Sequence, residues 1–214
     1  MSIAKELDLV RKSFRWDDMS LWFLLFSNII TIYFAVTQNW DLLTVMWIYW
    51  FQSVIIGIFN FIRILKLKDF YSDNLTDSRG NKIIEPTEGG KNLVAFMFIV
   101  HFGFFHFVYW LFIFGLTYED WKEAVNSPIF DYILLSVFAF FMAHALSFFN
   151  SRKIDETKKQ DIGLIMMYPY ARIIPMHFTI LFGFFINYWL LFFLVLKTIA
   201  DVIMHVRDEK LSRK

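Results

Sequence analysis

Five histidines and one aspartate carry the chemical interest of this 214-residue chain: His101, His106, His144, His177, His205 and Asp201. Each lies among Phe, Leu, Ile and Val, not in a polar segment. Neutral imidazole is the commonest metal ligand, and carboxylate completes many such sites. Nitrogen and oxygen donors in a chain without cysteine suit Zn²⁺ or non-haem iron, and exclude thiolate sites and disulfides. Asp201 and His205 are spaced i,i+4, so a helix puts them on one face, and Lys197 extends that stripe by a turn. His101 and His106 are five residues apart, about 140° around a helix axis. They do not share a stripe, so either a bulge unites them or His106 serves a neighbouring contact.

These residues also admit structural roles. An aspartate inside a membrane span costs about 2.5–3.5 kcal/mol on insertion scales and needs a cation, a proton or a partner. Lys197, one turn away, is the competing partner for Asp201. Any single histidine can be satisfied by interhelical hydrogen bonds. Arg172 and Lys197 are expected either to hold an acidic substrate or lipid headgroup, or to snorkel to the surface. Asn28, Gln52 and Ser53 are further polar residues inside the spans, and the Gln52 amide fits interhelical hydrogen bonding.

The elements that must position these groups are transmembrane helices. The chain is 57% hydrophobic and 21% aromatic, with mean hydropathy +0.48, and its apolar residues come in long runs. About 20 such residues cross a bilayer. The runs predict an all-α bundle of six spans near 20–38, 42–63, 93–117, 129–149, 171–187 and 189–206. The last two are separated at Asn187, or the fifth begins near Leu164 and is bent by Pro169 and Pro175. Lys and Arg concentrate in 1–19, in the loop 66–92, after the fourth span and in the tail 207–214. Positive charge marks the cytoplasmic side, so both termini are expected there, in a cell (inner) membrane. Residues 1–19 read as an amphipathic surface segment, 20–206 as one transmembrane domain and 66–92 as a cytoplasmic loop within it. At about 1.5 Å per residue, His101 falls roughly 13 Å, and His144 and His177 roughly 9 Å, from the cytoplasmic ends of their spans, and Asp201 and His205 lie within roughly 10 Å of that same face. The lipid bilayer is the expected partner. Nucleic acid is excluded, because the basic residues follow the topology rule and form no binding face.

Two stretches, "PYARIIPMHFTILFG" (169–183) and "KTIADVIMH" (197–205), resemble an uncharacterised family of bacterial and archaeal integral membrane proteins, and "HFGFFHF" is similar to a third element. The resemblance implies that His101, His106, Arg172, His177, Lys197, Asp201 and His205 belong to characteristic elements, with His144 outside them. It also implies Glu-Asn after "YW-aromatic" in the second span, where this chain has Gln52 and Ser53. An amide neither transfers a proton at neutral pH nor offsets a cation.

Four functions are compatible with this pattern. The first is a metal-dependent hydrolase of a lipid-like substrate, with zinc or iron on His101, His177 and Asp201 and with His144 or His205 completing the set. The second is a divalent-cation transporter. The third is a b-type haem protein using two histidines as axial ligands. The fourth is a non-catalytic scaffold. P-loop, Rossmann, GxSxG and HExxH patterns are absent from the sequence.

Overall fold

A computed structural model describes residues 42–73, 75, 84–118, 155–182 and 189–213, with single positions between 22 and 40 and between 134 and 152. Side chains of the last helix are described from 190 to 204. The chain is mostly helical, and among the described residues three helices are long and apolar enough to cross a membrane: Leu42–Lys66, Glu88–Thr117 and Ile162–Phe182. Leu42–Lys66 is α1 and Glu88–Thr117 is α2. Ile162–Phe182 is composite: α3 (Ile162–Met167), a 3₁₀ turn (Tyr168–Arg172) and α4 (Ile173–Phe182). Helix α5 is Trp189–Arg213. The described positions between 22 and 37 and between 134 and 149 are also helical.

The spans expected at 42–63 and 93–117 correspond to α1 and α2, and the stretch expected at 189–206 is helical within α5. The stretch expected as a fifth span begins at Ile162, not at residue 171, in line with the longer of the two alternatives. Its start is fixed by Asp161, whose Oδ1 accepts from the backbone N–H of Gly163 at 2.9 Å and of Leu164 at 3.3 Å. Pro169 lacks an N–H, and the tighter 3₁₀ turn carries the chain past it. The turn at Asn187 and the segment 1–19 lie outside the described residues, and spans 20–38 and 129–149 are described only in part.

The chain divides into two compact units, 42–170 and the combination of 1–41 with 171–214. In the first, α1 and α2 pack together around Met46, Tyr49, Ile56, Ile64, Phe98, Phe102 and Ile113. The other flank of α2 stays exposed through Phe96, Val100, Phe104 and Phe107. A helix apolar on every side suits lipid on the face that protein leaves open.

Polar contacts close one end of this unit. Arg63 and Lys66 occupy the last turn of α1, where cations complement the helix dipole. Arg63 grips Asp155 with two hydrogen bonds, at 2.7 and 2.9 Å. Thr87 caps α2 by accepting from Gly90 N–H at 3.1 Å, and Lys91 Nζ donates to Leu67 O at 3.0 Å. Asn60 Nδ2 donates to Ile165 O at 3.0 Å, tying α1 to α3. A two-residue parallel pairing, β1 (Phe70–Tyr71) with β2 (Gln160–Asp161), departs from the all-α expectation. Two residues of strand are too short to register as a β pattern in sequence. Burial, then the neighbouring charges of Asp161 and Asp73, lift the Tyr71 phenol above its ordinary 10.0, so it stays neutral in this junction.

Gly57 sets the approach of α1 to α2. A Cβ there would collide with the Phe102 ring, which is itself stacked between Phe98 and His106 at centroid separations of 5.0 and 4.2 Å. The ring has neighbours on both faces and little room to retreat. Gly57→Val is therefore expected to destabilise the purified protein by about 1–3 kcal/mol, the usual cost of overpacking. A thermal-unfolding midpoint equal to that of the unsubstituted chain would contradict this contact.

Candidate functional site

Unit 42–170 holds His101, His106 and His144. The 140° separation expected for the first two is realised: His106 is buried while His101 is exposed. His101 Nδ1 lies 2.9 Å from the Tyr170 hydroxyl, and the two rings lean together with centroids 5.5 Å apart. His144 packs on Phe140 with centroids at 4.3 Å.

Both nitrogens of His106 are engaged. Nδ1 is 2.8 Å from Phe102 O, and Nε2 is 2.8 Å from Ser53 Oγ. A carbonyl only accepts, so the partners assign the proton to Nδ1, and Nε2 accepts from the serine hydroxyl. Trp50 Nε1 donates to His106 O at 2.9 Å, adding a second tie between α1 and α2. In the sequence Ser53 stands out only as a polar residue inside a span, with nothing that joins it to His106. The available signal is the pair Ser53 and Gly57, small residues one turn apart that mark the side of α1 where another helix comes close. Next to Ser53, Gln52 Oε1 is buried and meets no hydrogen-bond donor among the described residues.

The second unit carries the other group. Asp201 is buried, its Oδ1 accepting from Arg172 Nη2 at 2.7 Å and its Oδ2 from Lys197 Nζ at 2.9 Å. Lys197 Nζ also donates to Asn28 Oδ1 at 2.9 Å. Thr198 Oγ1 stands 3.3 Å from the same amide oxygen. The Arg172, Asp201 and Lys197 side chains are only 5%, 8% and 13% exposed, so the whole group is withdrawn from solvent. The i,i+4 partner weighed against a metal at Asp201 is thus present, with Arg172 as a second cation. Arg172 was expected at the start of a span; because the helical stretch begins at Ile162, it stands well inside it.

Among the described residues, no three His, Asp or Glu side chains come together as a group able to hold a metal ion. His177 is exposed on α4, and the His205 side chain lies outside the described residues. At Asp201 a divalent ion would have to share a carboxylate already bound by two cations, a costly juxtaposition of like charge.

Fold and sites together define a mostly helical protein with, among the described residues, three helices long and apolar enough to cross a membrane and with polar groups recessed between apolar helices. Within that class, the chain belongs to DUF6498, a family of unknown function whose model matches residues 11–214. No curated protein and no solved structure matches the chain.

Proposed function

We propose that the protein is a six-span protein of the bacterial or archaeal cell membrane, with both termini in the cytoplasm, and that its Arg172–Asp201–Lys197–Asn28 cluster receives the acidic group of an amphiphile. The membrane reading is supported by three helices of spanning length, by the exposed Phe and Val flank of α2, and by Lys and Arg on alternate connections. The observation that carries the binding reading is the cluster itself: two cations gathered on one carboxylate in a setting that excludes solvent. Burying a second cation is costly, and neutralising Asp201 alone takes one. An entering phosphate or carboxylate meets Arg172 and Lys197 already desolvated and oriented, with Asn28 holding the lysine, so little ordering cost remains at binding. A divalent metal is less suited to the same position, because the cations that attract an acid repel it.

The reading is tested by native mass spectrometry of protein extracted from vesicles containing equal phosphatidylglycerol and phosphatidylcholine. Selective retention of the acidic lipid is expected. In Arg172→Gln/Asp201→Asn, which removes one charge of each sign, retention should fall about tenfold or more, since a hydrogen bond to a charged group is worth about 1.5–3 kcal/mol. Adding inorganic phosphate separates the sources: competition points to the phosphate alone, and its absence to the whole amphiphile. Equal retention by the variant removes the cluster from binding.

A further inference from the structure

We propose that Ser53 and His106 form a nucleophile–base pair able to cleave the acyl ester of an apolar substrate. The pair joins α1 to α2 at 2.8 Å, within the reach a general base needs to take a hydroxyl proton. The base is oriented by a third group, as such pairs require: Nδ1–H points at Phe102 O, leaving the Nε2 lone pair facing Ser53. Its ring is fixed as well. Phe102 stacks on one face at 4.2 Å, Gly57 admits Phe102 to that position, and the Trp50 indole anchors the His106 backbone.

The chemistry balances with water as the only co-reactant. Ser53 Oγ attacks the ester carbonyl carbon while its proton passes to His106 Nε2. The carbon–oxygen bond to the leaving alkoxide breaks, and that oxygen takes the proton from Nε2 and departs as the alcohol. Water then gives a proton to Nε2 and attacks the Ser53 acyl ester, releasing the carboxylic acid, and the Ser53 oxygen recovers its proton from Nε2. The resemblance expects Asn where Ser53 stands, so this reactivity is a property of this chain and is not extended to its relatives.

The experiment treats the full-length protein in mild detergent with a long-chain alkyl fluorophosphonate and locates the adduct by peptide mass spectrometry. An adduct on Ser53 is expected, absent from Ser53→Ala and formed at least about a hundredfold more slowly in His106→Gln, the range lost with a general base. In the unsubstituted protein the labelling rate should rise with pH as one imidazole loses its proton. No adduct on Ser53, or a rate indifferent to both His106 and pH, overturns the proposal. Because the wild-type pH profile needs no variant, a His106→Gln protein that fails to fold leaves the test intact. The outcome is also independent of Arg172 and Lys197, so it stands or falls separately from the acidic-amphiphile reading.

Discussion

Asp201→Asn is expected to be more damaging than Arg172→Met, and also more damaging than both changes together. The asparagine keeps the size of the side chain but leaves Arg172 and Lys197 adjacent with no anion between them. Stranding buried charge in this way costs about 3–5 kcal/mol. Arg172→Met removes one cation while Lys197 still binds Asp201 Oδ2 at 2.9 Å, so its cost should fall at the low end of that range. The double variant leaves only Lys197 charged, held by the Asn28 amide oxygen, and should recover part of the loss from Asp201→Asn. Unfolding midpoints of the three proteins in one detergent measure the coupling directly. Simple additivity of the two single costs would show that the three charges do not act as one group.

That cluster also marks what sequence can convey. The i,i+4 spacing of Lys197 and Asp201 is fixed by helix geometry, so their pairing was readable as soon as a helix was expected there. The opposed environments of His101 and His106 follow in the same way from a five-residue spacing. Arg172 was harder. Its meeting with Asp201 depends on where the helical stretch begins, and the deciding residue, Asp161, is a single capping side chain outside the apolar run. Asn28 lies far from Lys197 in sequence, and no local period connects them. The contact of Ser53 with His106 is of the same kind: it depends on the register of α1 against α2, which Gly57 and Phe102 set through shape. Apolar periodicity reports which residues are helical and charge reports which connections share a side. Neither reports which two helices meet, nor at which turn, and sites built between helices are hidden for that reason.

The junction at the end of α1 gives the second large effect. Arg63→Met is expected to destabilise unit 42–170 by about 3–5 kcal/mol, because it leaves the buried Asp155 carboxylate without the guanidinium that grips both of its oxygens. The side chains of Arg63 and Asp155 are 11% and 7% exposed, so water compensates little of that loss. The bidentate geometry makes the site specific for arginine. Lysine supplies a point charge that cannot match two oxygens in one plane, so Arg63→Lys should recover only part of the stability. The loss should be felt locally first. Asp155 leads into the β1–β2 pairing and the Asp161 cap, and Asn60 on the same helix binds Ile165 O, so the start of α3 is held from both sides. Amide hydrogen exchange of peptides covering residues 155–167 should accelerate in Arg63→Met well before exchange within α2, whose own cap at Thr87 is untouched. In Arg63→Met/Asp155→Leu, where no charge is left unpaired and apolar contact replaces the pair, protection should return towards the original level. Exchange that speeds up equally in every helix, or fails to recover in the double variant, would mean that this ion pair does not hold the junction closed.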